Sequence, residues 1–143
     1  MAKQTSQRLS GPFVYLSVLA GFGVAMVVVK PLWDDAGHDS VRAECTVNLE
    51  LIADRQAEII AETSRALPCA AWPVEPPGPD GTAWDEFPTC WQRLGFERGL
   101  ILHGRYVVDT TLSGWTARCT VEIDGSQESW QATDALTAQR VDD

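Results

Sequence analysis

From Gly11 to Val29 the chain reads GPFVYLSVLAGFGVAMVVV without a single charged side chain. Wound as a helix at 1.5 Å per residue, this run is about 28 Å long, close to the thickness of a bilayer's hydrocarbon layer. It reads as a transmembrane helix over 11–30. The competing reading is a secretory signal peptide, whose apolar part is ordinarily shorter and ends in small residues at a cleavage site. Here the run ends in Val27, Val28, Val29, Lys30 and Pro31 instead. Lys3 and Arg8 precede it and Asp34 and Asp35 follow it, so the positive-inside bias makes residues 1–10 a cytoplasmic leader and exports residues 31–143 as a head domain. Lys30 can snorkel outward beside Trp33. Ser17, Gly21 and Ala25 recur every four residues, a small-residue stripe that lets a second helix approach, although Gly-rich and Ala-rich spans also produce such stripes by chance.

With 143 residues, 45% of them hydrophobic, the chain can build one core and one ordinary domain beyond that helix. Its net charge is −9, and since only Lys3, Arg8 and Lys30 are charged before Asp34, the body after that point is more acidic still. An acidic body argues against binding to a nucleic acid backbone, which needs clustered Lys and Arg, and no nucleic acid partner is expected.

Cys45, Cys69, Cys90 and Cys119 form an even set in a segment expected to be exported, and none belongs to a CxxC pair. Structural disulfides are the leading reading, with free buried thiols as the alternative for any pair. Four cysteines allow three pairings, and spacing alone does not choose among them.

Ser40 through Leu67 reads as a long amphipathic helix, with Val41, Cys45, Leu49, Ile52, Ile59 and Ile60 as its apolar stripe and Glu44, Asp54, Arg55, Glu58 and Glu62 on its other faces. Asp39 or Ser40 can cap its start, Pro68 stops it, and Gly37 is a weak point before it. Residues 68–90 hold Pro68, Pro73, Pro76, Pro77, Pro79 and Pro88, too many for a regular helix or a central strand, and read as a long connecting loop. Trp72, Trp84, Phe87 and Trp91 punctuate it, either as anchors that pack the loop on the domain or as a surface for a partner.

Trp115 to Ile123 alternates apolar and polar residues and reads as a strand buried on one face. Asp124-Gly125 signals a hairpin with Glu128–Thr133 returning, and Gly104–Leu112 reads as an earlier strand. Cys119 on the buried strand face and Cys45 on the buried helix stripe can meet, which favours Cys45 with Cys119. Cys69 with Cys90 would then close the proline-rich loop at its base. The expected fold class is α+β: a long N-terminal helix, transmembrane then amphipathic, packed on an antiparallel sheet of three or four strands over residues 91–133, with a tail over 134–143.

This order of a basic leader, an apolar helix continuing into an amphipathic one, and a small C-terminal sheet resembles a type IV pilin or pseudopilin. Pro31 closes the apolar span as a proline does in pilins, where it would kink the helix. Cys45-Thr46-Val47-Asn48-Leu49-Glu50-Leu51-Ile52 is similar to the lysine-threonine-asparagine-leucine-lysine-alanine-isoleucine stretch of one pilin group. Further on, Trp91, Leu94-Gly95-Phe96, Gly104-Arg105-Tyr106, Gly114-Trp115-Thr116-Ala117 and Ile123-Asp124-Gly125 with Trp130 follow that group's C-terminal order. The resemblance covers about Gly11 to Thr133. The chain departs from the family at the leader, where Pro12 follows Gly11 and Leu16 stands where the family glutamate would fall. In pilins that glutamate is thought to neutralise a neighbour's new N-terminal amine within the apolar filament core. Some minor pseudopilins resemble this departure.

His38 and His103 are the two histidines, and no HExxH, GxSxG or P-loop pattern surrounds either. No enzyme activity, no cofactor and no metal are expected; Glu122, Asp124 and Ser126 could offer oxygens to Ca²⁺ but lack the spacing of an EF-hand loop. The resemblance implies a structural subunit, a minor pilin or pseudopilin of a filament or secretion system. It would sit in a bacterial inner membrane with its head in the periplasm and associate with itself or with other pilin-like subunits. The alternative is a permanently anchored, non-polymerising module that binds a partner through the aromatic loop.

Overall fold

A computed structural model describes the backbone of residues 11–141 and the side chains of residues 36–141. The chain divides into two units, Met1–Gly37 and His38–Asp143. Helix α1 is Gly11–Thr63. It is followed by β1 (Cys69–Trp72), β2 (Thr82–Ala83), α2 (Thr89–Arg93), β3 (Ile101–Leu102), β4 (Arg105–Thr111), β5 (Gly114–Ile123), β6 (Ser126–Thr133) and β7 (Gln139–Val141).

The α+β composition is present, but the transmembrane part of the expected fold is corrected. Among the described residues no helix is long and apolar enough to cross a membrane. The reason is chemical: the described side chains of α1 include Glu44, Asp54, Arg55, Glu58 and Glu62, and charges at this density are costly in hydrocarbon. The leader 1–10 lies outside the described residues, and so do the side chains of 11–30, including the Ser17, Gly21, Ala25 stripe, and of Pro31.

The sheet is larger than expected. Five strands run in the order β1-β4-β5-β6-β7, each antiparallel to its neighbours, while β2 and β3 make a separate two-stranded ribbon. β5 is the middle strand. Its burial alternates as its sequence does: Trp115, Ala117, Cys119, Val121 and Ile123 are buried, and Arg118 and Glu122 are exposed. Asp124 and Gly125 both take positive φ, 52° and 74°, as a two-residue hairpin loop of matching twist requires, and Ile123 pairs with Ser126 across it.

Two segments read as irregular contain strands. β1 lies within the proline-rich stretch, at the sheet edge and between Pro68 and Pro73, where a missing N–H does not interrupt an inner ladder. β7 lies within the expected tail and pairs with β6 through Ser129, Trp130 and Gln131.

From His38 onward α1 lays Cys45, Leu49, Ile52, Gln56 and Ile59 into the core, with Val41 and Ile60 partly buried beside them. Gly37, Asp39 and Ser40 are internal to α1, so neither the expected break nor the expected cap is there; Asp39 instead pairs with Arg42 one turn on, at 3.2 Å. The other end comes earlier than Pro68 dictates. Ser64 takes a positive φ of 58°, and the next residues fold back onto Gln56. That fully buried amide donates to the Leu67 carbonyl at 2.6 Å and accepts from the Leu67 N–H at 2.9 Å. A buried amide left unpaired would be costly; here it satisfies the chain that leaves the helix.

Candidate functional site

The described side chains converge most densely where the second and third turns of the His38–Thr63 stretch meet the start of β4. Glu44 projects from α1 toward the turn between β3 and β4. Its Oε1 accepts the backbone N–H of His103 (2.9 Å), the N–H of Gly104 (3.0 Å) and the hydroxyl of Tyr106 (3.0 Å). Its Oε2 faces Nδ1 of His103 at 3.0 Å. A carboxylate in that position selects the His103 tautomer with the proton on Nδ1. One turn along the helix, the Asn48 amide donates to the same Tyr106 oxygen at 2.8 Å.

Next to Glu44, Cys45 is bonded to Cys119 of β5, with Cα atoms 5.6 Å apart. Gly104 makes this approach possible: a Cβ there would lie 2.7 Å from the Cys119 sulfur and 2.8 Å from the Tyr106 ring. Tyr106 is fully buried, and burial, reinforced by the Glu44 charge, pushes its phenol well above its usual range, while the Asn48 hydrogen bond opposes the shift.

The chemistry of this cluster is that of a clasp. Glu44 has its oxygens engaged by donors from the sheet layer, and the Tyr106 hydroxyl both donates and accepts, so the cluster ties the helix to the sheet. A second, more exposed clasp joins the helix to the β5–β6 hairpin. Arg42 donates to both oxygens of Glu128 (2.9 and 3.0 Å), Arg140 approaches Glu128 at 3.4 Å, and His38 approaches Asp124 at 3.6 Å. The Arg42 guanidinium holds the Glu128 carboxyl below its ordinary value.

Of the residues singled out in the sequence, Cys45 and Cys119 are brought together as expected. Cys69 and Cys90 are not bonded: both are free thiols, Cys69 buried at the start of β1 and Cys90 half-buried in α2. The expected partner surface is corrected in part, because Trp84 and Trp91 are fully buried and only Trp72 and Phe87 keep some exposure. Trp84 stacks on Phe96 with ring centroids 4.9 Å apart and meets Trp91 and Tyr106 edge-on, so these rings are core. Among the described residues no group of three or more His, Cys, Asp or Glu side chains could hold a metal ion.

Sequence reasoning missed Glu44, Asn48, Gln56 and the Arg42–Glu128 pair. Glu44 and Asn48 flank the apolar stripe one and three residues from Cys45, a boundary position from which a polar side chain reaches over the core to the opposite layer. Compared with protein-family models, with curated proteins and with solved structures, the chain matches none of them.

Proposed function

We propose that this chain is a structural subunit of pilin-like design, an exported head braced onto a helical spine that associates with copies of itself or with other pilin-like subunits. The observation that carries this reading is the division of the helix faces in the head. Cys45, Leu49, Ile52, Gln56 and Ile59 are buried against the sheet, whereas Val47 is 62% exposed and Ala43, Ala57 and Ala61 are also exposed. A helix buried along one side keeps its second side for a neighbouring helix, and here Val47 and the three alanines stand among Glu50, Asp54, Arg55, Glu58 and Glu62. The Cys45–Cys119 bond supports an oxidising, extracytoplasmic location. The order of short sequence segments noted above supports the pilin resemblance.

Reading the aromatic loop as a recognition surface is not adopted, because the fully buried Trp84 and Trp91 have nothing to offer a partner. The test places a photo-crosslinking amino acid at Val47 in cells that make the full chain. A crosslink to a second copy or to a pilin-like subunit, recovered in sheared extracellular material, is the expected result. A chain that yields only monomer, confined to the cells, overturns the reading.

A further inference from the structure

We propose that Cys69 and Cys90 are a site of reversible thiol–disulfide modification, closed into a second disulfide by a low-molecular-weight disulfide such as glutathione disulfide. The two lie on elements already fastened to each other. The indole N–H of Trp91, the residue after Cys90, donates at 3.2 Å to the carbonyl of Ala70, the residue after Cys69. The Cys90 thiol also adds, after burial, to the upward push on the Cys69 thiol. The other two cysteines are bonded together and fully buried, so they do not compete for the reagent.

Exposure sets the order of events. Cys69 is 2% exposed, whereas Cys90 is half-buried, so an incoming disulfide meets Cys90 first. The Cys90 thiolate attacks one sulfur of glutathione disulfide; that S–S bond breaks, and one glutathione leaves as a thiolate and takes up a proton. Cys69 then gives its proton to water and attacks the Cys90 sulfur of the mixed disulfide, expelling the second glutathione, which is protonated in turn. In sum, two protein thiols lose two electrons and two protons, and one glutathione disulfide becomes two glutathione thiols. Burial raises the Cys69 thiol above its ordinary range, which slows the second step at neutral pH and makes it faster as pH rises. The product ties the edge strand β1 to α2 at the base of the proline-rich loop. This inference stands whether or not the chain assembles.

The experiment exposes the full chain, with Cys45–Cys119 intact, to glutathione disulfide, quenches by alkylation at intervals, and maps peptides by mass spectrometry without reduction. The expected sequence is glutathione on Cys90 first, then a Cys69–Cys90 linked peptide, with the interval between them shortening at higher pH. Cys69→Ala should stop at the mixed disulfide. In the oxidised wild type, cleavage after the exposed Glu62, Glu75, Glu86 and Glu97 should leave the peptide 63–75, which holds Cys69, joined to the peptide 87–97, which holds Cys90, until reductant is added, a readout that needs no variant. The proposal is overturned if both thiols remain alkylatable at saturating reagent, if Cys69 is modified before Cys90, or if the new bonds involve Cys45 or Cys119.

Discussion

Glu44 is a polar residue placed so that the opposite layer depends on it. With Glu44→Ala, the N–H groups of His103 and Gly104 and the Tyr106 hydroxyl lose their acceptor at a largely buried position, and the expected cost is about 3 kcal/mol in denaturant unfolding. Glu44→Gln keeps an acceptor oxygen and should cost clearly less; equal losses for the two would show that the clasp depends on the negative charge and not on the acceptor oxygen. Gly104→Ala probes the same contact from the sheet side. Its Cβ would press on the Cys119 sulfur and the Tyr106 ring, neither of which is the free end of a flexible chain, so a loss of about 1–3 kcal/mol is expected in the same assay. Tyr106 adds a pH signature. Because its phenol is raised in the folded state, its contribution is complete below the ordinary value of 10.0 and is lost as pH rises beyond it. Tyr106→Phe should flatten that alkaline limb of a thermal-melt pH series.

At the scale of elements, periodicity was a good guide wherever a side chain's partner lay on one predictable face. β5 and its Asp124-Gly125 turn, and the helix stripe through Cys45, Leu49 and Ile52, follow from spacing alone because burial of apolar area dominates those choices. The end of α1 was not legible for the opposite reason. Pro68 forbids helix only locally, whereas the chain leaves at Ser64 because Gln56, far back on the helix, satisfies both backbone groups of Leu67. β1 and β7 were hidden in the same way, since edge strands this short are made by pairing with β4 and β6 and carry no pattern of their own. The clasps of Glu44 and Arg42 join residues distant in sequence, and a single chain read by spacing does not reveal them. The helix-to-hairpin clasp makes its own prediction. Glu128 is lowered in the folded state, first by its hydrogen bond to Arg42, so its contribution is present above the ordinary carboxyl value of 4.5 and is lost as pH falls through the folded value. Arg42→Met should weaken the acid dependence of the melting temperature while leaving the alkaline limb unchanged.

Across the unit His38–Asp143, one covalent bond and two polar clasps hold a helix to a five-stranded sheet whose β1–β4 ladder shifts register between Cys69 and Trp72. Removing the bond by Cys45→Ala with Cys119→Ala is expected to cost about 2–4 kcal/mol, read as a lower denaturant midpoint, and reduction of the wild type should reproduce the direction of that shift. Cys119 belongs to β5, which has two strands on either side of it in the sheet. A pull applied along the His38–Thr63 stretch therefore meets its covalent crosslink at the middle strand, where load divides between the β4 and β6 ladders, while the two polar clasps share it. Hydrogen bonds arranged along both flanks of a loaded strand yield together, whereas those at a free margin unzip one at a time. The placement of a single cysteine thus anchors the helix at the centre of the sheet instead of at its margin.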